Sequence, residues 1–155
     1  MGELQVYKHI LIPTDGSDLS ARAAAHGVEL ARRVNARVAG LSVIAPWKEV
    51  AHSIEAFAVS QEQYERNAEA YAARSLLVLS DAARSAGVSC SVVQIKHPRP
   101  WRAIIDTAQS MRCDLILMAS HGRRGIDAMI VGSETQKVLT HSTIPVLVYR
   151  DQDGD

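Results

Sequence analysis

Short apolar runs alternate with segments of helical spacing along this chain, and that alternation limits the fold more than any other property. The runs cover residues 9–12, 38–45, 88–96, 114–120 and 144–149. Between them lie helical segments at about 18–33, 61–86, 101–111 and 133–141. Strand–helix–strand order of this kind builds a parallel sheet with right-handed crossovers and helices on both faces. The runs are apolar rather than strictly alternating, as strands covered on both sides should be. The sequence therefore predicts an α/β fold, a single domain built on an open parallel five-stranded sheet.

Local signals set the ends of these elements. Pro13-Thr14-Asp15-Gly16 stops the first strand, and Ser17 or Asp18 can cap the helix that follows. Ala21, Ala24, Ala25, Val28 and Ala31 recur at spacings of three and four and predict its inward side. Tyr64, Ala68, Tyr71 and Ser75 predict one side of the long second helix, and Gly87 its stop. Trp101, Ile104, Ile105 and Ala108 predict the inward face of the third. Residues 47–60 are poorly patterned, and a mobile lid over a crevice is one use for such a stretch.

With 155 residues the chain can bury a full core. Lys+Arg and Asp+Glu balance at 17 each, so no basic excess points to a nucleic-acid groove. The apolar runs reach only about 8 residues, whereas a bilayer-spanning helix needs roughly 20. Met1-Gly2-Glu3-Leu4-Gln5 has neither the charged nor the apolar region of a secretory signal, which predicts a cytoplasmic protein. Cys90 and Cys113 come with no CxxC and no clustered histidine. They read as reduced, unreactive thiols rather than a metal pair, and no metal site is predicted. Residues 1–150 form the expected domain, and the acidic residues 151–155 a loose tail.

Function is concentrated in Met118-Ala119-Ser120-His121-Gly122, followed after nine residues by Gly132-Ser133. An apolar strand leads in and a helix leads out, with Ser133 as the expected N-cap. The first N–H groups of a helix lack internal partners and, with the helix dipole, form a site for phosphate. In open parallel sheets, ligands sit beyond the carboxyl ends of the strands where the winding reverses. If the first and fourth strands are neighbours, Pro13-Thr14-Asp15 and Ala119-Ser120-His121-Gly122 meet at one crevice.

These segments, with Thr143-Ile144-Pro145-Val146-Leu147-Val148, resemble the universal stress protein family over nearly the whole chain, from about Tyr7 to Arg150. The family's ATP-binding pattern is Gly, two residues, Gly, nine residues, Gly, then Ser or Thr. Gly122, the nine-residue spacer and Gly132-Ser133 match it, and Ala119 replaces the first glycine. The resemblance implies a Rossmann-like sheet in the order 3-2-1-4-5 and a homodimer through the C-terminal strand. It puts Asp15 near the adenosine, Pro13 and Thr14 in that wall, and Val43 against the adenine. Met118 and Ala119 would lie under the ribose and phosphates. His121, Gly122, Arg123, Gly132, Ser133, Glu134 and Thr135 complete the implied nucleotide site. ATP is the implied ligand, with Mg2+ or Mn2+ as a possible companion. An alanine at 119 is harmful only if the position needs positive φ or very close ligand approach.

Other readings stand beside this one. Asp15 could serve only the start of the first helix, and Arg123 and Arg124 could be a solvated pair. His121 has no second group at fixed spacing to make it a general base. Trp47 and Trp101 read as cover over apolar edges. The chain has no Walker lysine and no paired carboxylates for two-metal chemistry, so slow or absent ATP hydrolysis is expected. The alternative is a protein with an empty pocket that acts through protein partners, with Ser120, Ser133 and Thr135 as phosphorylation candidates. The apolar last strand, at an edge, favours a homodimer on physical grounds as well.

Overall fold

The computed structural model describes residues 5–52, 59–122 and 131–151. Its strands are β1 (His9–Pro13), β2 (Arg37–Ile44), β3 (Cys90–Lys96), β4 (Leu115–Ala119) and β5 (Val146–Tyr149). Its helices are α1 (Asp18–Val34), α2 (Trp47–Val50), α3 (Gln61–Ser85), α4 (Pro100–Ser110) and α5 (Ser133–His141). The five strands pair in parallel in the order β3-β2-β1-β4-β5. The winding reverses between β1 and β4, which are neighbours as the sequence requires.

Successive side chains of a strand point to opposite faces, and the core divides accordingly. Ile10, Ile12, Leu115, Leu117 and Ala119 pack with Leu19, Ala23, Val28, Leu79 and Ala83, from α1 and α3. Leu11, Ala39, Leu41, Ile116 and Met118 pack on the other face with Ile104, Ile105 and Ala108 of α4 and Val138 of α5. Ile10, Leu11, Ile12, Leu41, Ile116 and Leu117 are wholly buried. Each such side chain contributes roughly 1.5–3 kcal/mol through loss of contact with water. Gly40 of β2 lies under α3, where an added Cβ would collide with the Leu79 side chain. The two outer strands are less covered. In β3, Cys90, Val93 and Ile95 are half-buried between exposed neighbours, and β5 is half-buried throughout.

Helix ends follow capping chemistry. Ser17 Oγ accepts the Ser20 N–H at 3.2 Å to start α1, and Asn35, left-handed at φ 58°, ends it. Ser60 Oγ accepts the Gln63 N–H at 3.1 Å at the start of α3. The buried face of α1 is Leu19, Ser20, Ala23, Ala24, Gly27, Val28 and Ala31, so Ala21 is only half-buried and Ala25 is exposed. The expected stripe was rotated, because a run of alanines fits several faces of a helix equally well. In α3, Ser75 is buried with Ala72, Leu76, Leu79 and Ala83, whereas Tyr64, Ala68 and Tyr71 are half-buried.

Residues 47–60, the stretch read as a lid, contain the short α2, and positions 53–58 of it lie outside the described residues. Trp47 contacts Tyr64, whose hydroxyl donates to the Ala45 carbonyl at 2.6 Å. Asp151 pairs with Arg22 of α1 at 2.8 Å, and residues 152–155 lie outside the described residues. Both cysteines are free thiols. Burial pushes the thiol of Cys90 up, and that of Cys113 up to about 11, which leaves both protonated and unreactive at neutral pH.

Candidate functional site

β1 and β4 both end at the winding reversal, and their loops open a crevice between them. The cavity there measures about 210 Å³. Of the residues expected in the site, Pro13, Thr14, Asp15, Val43, Met118, Ala119, His121, Gly122, Glu134 and Thr135 line it. Gly132 and Ser133 are not among its lining residues, although they open the helix whose first turn forms one wall. Arg123 lies outside the described residues, as does Arg124. Ser20, Leu41, Pro100 and Ile104 also line the crevice and were not anticipated there. Leu41 stands two residues before Val43, so strand alternation puts both on the face of Val43. Ile104 belongs to the inward stripe of α4. Pro100 occupies the first turn of α4, a position that proline favours.

The walls differ in chemistry. Leu41, Val43, Ile104 and Met118 form an apolar slot on the face of the sheet covered by α4 and α5. The β1 loop is internally bonded. Thr14 N–H donates to the Leu41 carbonyl at 2.8 Å, and its Oγ1 lies 3.1 Å from Ser20 Oγ. Asp15 Oδ1 accepts the Ser17 N–H at 3.0 Å, an Asx turn that leaves Ser17 itself to cap α1. Gly16, at φ 79°, reverses the chain in a conformation that side chains resist.

On the β4 side, Ser120 N–H donates to the Tyr149 carbonyl and carries the pairing one residue past the strand, at 2.8 Å. Ser120 Oγ and His121 Nδ1 lie 3.2 Å apart, within hydrogen-bond distance. A Cβ at Gly122 would stand 2.5 Å from Asp15 Oδ2, so a side chain there would have to displace that carboxylate. Gly132 is similarly confined, at 3.1 Å from His121 Cα. Gly132, rather than Ser133, is the N-cap of α5. Its backbone is extended (φ −60°, ψ 156°), its carbonyl accepts the Gln136 N–H at 2.9 Å, and, among the described residues, no side chain caps the helix. The helix starts one residue earlier than a Ser cap would require because Gly132 N–H is fastened to the Ser120 carbonyl at 2.7 Å. The N–H groups of Ser133, Glu134 and Thr135 are therefore those that a helix leaves without internal acceptors.

Ala119 departs from the family glycine without strain. It lies within β4 and is not among the described residues of positive φ. Its methyl belongs to the core beneath α1 and α3, on the face opposite Met118. Its carbonyl accepts the Thr135 Oγ1 hydrogen bond at 2.9 Å. Thr135 and Ser120 are both buried, at 3% and 1% exposure, and only Ser133 of the three candidate phosphorylation positions is exposed. Glu134 Oε2 accepts the Trp101 N–H at 2.9 Å and so serves the start of α4. Trp101 in turn stacks on His141 at 4.7 Å between centroids, as cover rather than as a wall of the crevice. Among the described residues no His/Cys/Asp/Glu group has the makings of a metal site, and no helix is long and apolar enough to cross a membrane.

Residues 6–150 match the universal stress protein family model, Usp. The chain belongs to this family. It is 32% identical over 146 residues to a universal stress protein of Thermus aquaticus, covering 94% of this chain and all of that one. It is 29% identical over 147 residues to universal stress protein MJ0531 of Methanocaldococcus jannaschii, covering 94% and 83%. Among solved structures, the protein MJ0577 superposes with a TM-score of 0.77 at 24% identity, over 96% of this chain and 99% of that one. A universal stress protein in complex with cAMP gives 0.62 at 23% identity, covering 93% and 97%. One from Archaeoglobus fulgidus in complex with dAMP gives 0.65 at 19%, covering 92% and 98%. Family membership makes this a stress-response protein, and the superpositions establish the shared fold.

Proposed function

We propose that this universal stress protein binds an adenine nucleotide, ATP among them, in the crevice between β1 and β4, and acts as a regulator that hydrolyses it slowly or not at all. One observation carries the reading. The first turn of α5, which Gly132 leaves without a side-chain cap of its own, stands beside an apolar slot of Leu41, Val43, Ile104 and Met118, so a phosphate acceptor and a base-sized apolar wall share one cavity. The cAMP and dAMP complexes of relatives with the same fold add support. Ala119 lines the crevice but sits in regular strand backbone, with its methyl in the core on the face opposite Met118, so it fits this reading. Asp15 would face the nucleoside, and the amides of Ser133, Glu134 and Thr135 the phosphates. Arg123 and a divalent cation, Mg2+ or Mn2+, are candidates for balancing phosphate charge. The empty-pocket alternative gains nothing from the buried Ser120 and Thr135.

We further propose a cytoplasmic homodimer that pairs through β5, whose half-buried apolar residues stand at the sheet edge. The deciding experiment is calorimetric titration of the full chain with ATP, alongside absorbance and mass analysis of any nucleotide retained through purification. Saturable heat below millimolar ligand is expected. Silence at millimolar ATP, ADP and AMP would sink the nucleotide reading. Light scattering that returned a single-chain mass at micromolar concentration would do the same for the dimer.

A further inference from the structure

The geometry points to Glu134 as the residue that sets how much phosphate charge the crevice accepts. This rests on the nucleotide reading above and deepens it. The position is unusual because one residue serves both sides of the question. Its backbone N–H is one of the amides in the first turn of α5, and the residue itself lines the same cavity. The carboxylate is not free to swing away. Oε2 is held by the Trp101 N–H at 2.9 Å, at the start of α4, and Pro100 beside it also lines the crevice. A fixed negative charge thus stands where two helices begin, the location each helix would otherwise offer to a ligand anion.

Besides the two helix starts, the described side chain of opposite charge beside Glu134 is Lys137. Lys137 Nζ lies 4.0 Å from Glu134 Oε1, and both side chains are partly exposed, at 51% and 42%, so water screens the pair and softens the charge of Glu134 as well. Asp15, also on the described lining, is a carboxylate already engaged with the Ser17 N–H. Neither lysine nor arginine is among the described lining residues. Each added phosphate charge therefore meets repulsion from Glu134 while gaining from the helix amides. The balance favours ligands of low charge, or polyphosphates delivered with a divalent cation.

Glu134→Gln isolates this effect. Glutamine keeps a carbonyl oxygen to accept the Trp101 N–H, so the start of α4 stays capped while the charge is lost. Arg123 and Arg124, outside the described residues, are common to both proteins, and their contribution cancels in a comparison. The full-length wild type and variant are titrated calorimetrically with adenosine, AMP and ATP in EDTA, then with ATP and Mg2+. The expected result is that the variant raises the ratio of ATP to adenosine affinity in EDTA by about tenfold, with AMP between. Half-molar salt or saturating Mg2+ should shrink the gain. An unchanged ratio, or weaker ATP binding by the variant in EDTA, overturns the role of Glu134 and leaves the nucleotide reading standing. Failure of adenosine, AMP and ATP alike to bind either protein overturns both.

Discussion

Gly122 and Asp15 are matched across the crevice: a Cβ at residue 122 would stand 2.5 Å from the Asp15 carboxylate oxygen. The glycine is thus needed for close approach between two loops that come from strands adjacent in the sheet but far apart in sequence. Gly122→Ala should displace the Asp15 side chain and weaken nucleotide binding about tenfold, ~1.4 kcal/mol. Gly122 is exposed, so thermal unfolding should shift little. Titration paired with a melting curve checks this, and a large loss of stability with unchanged affinity would reverse the assignment.

Ala119→Gly restores the family pattern, yet the geometry predicts little functional gain. The methyl belongs to the α1–α3 core, on the face opposite Met118, although the residue also lines the crevice. The variant should lose about 1 kcal/mol of stability, from lost burial and added backbone freedom. Nucleotide affinity should change by less than about threefold. Urea unfolding and titration measure the two quantities separately. A tenfold gain in affinity would mean that the methyl obstructs the ligand.

His9 makes stability depend on pH. It is 5% exposed, and its pKa lies below 6.5 chiefly because burial disfavours the cation, with the Arg37 charge adding to this. Its contact with the Met111 carbonyl, at 3.1 Å, and the Asp114 carboxylate act the other way and do not prevail. Below pH 6.5 the unfolded chain takes up a proton that the folded chain resists, so stability is full above that pH and declines beneath it. The urea midpoint should fall between pH 7 and pH 5, and His9→Gln should flatten that slope whatever it does to the midpoint itself.

Thr107 is a place where the sequence can be improved. Its hydroxyl is buried in α4 and, among the described residues, has no hydrogen-bond partner. Thr107→Val keeps the shape and removes the unmet polar group, and should stabilise the protein by about 1 kcal/mol. A lower urea midpoint for the variant would show that the hydroxyl has a partner in solution.

The sequence disclosed the framework because buried strands and helices leave separate periodic signatures. The residues of β1 and β4 that meet at the crevice were therefore legible once their adjacency was assumed. Alanine-rich α1 was harder, since small side chains at nearly every position do not favour one face, and Ala25 was misplaced for that reason. The cap of α5 was missed because Ser133 looks like a cap in isolation. What moves the boundary to Gly132 is its bond to Ser120, which lies in another segment and has no local signature. The double service of Glu134 was hidden likewise, since its partner Trp101 is 33 residues away.

The Thr135 hydroxyl, fastened to the Ala119 carbonyl, ties the start of α5 to the end of β4 before anything enters the crevice. A molecule arriving there meets a frame already standing, and need not spend its own interactions on assembling one. Among the described residues, β4 and the start of α5 should then keep their relative placement when a ligand binds.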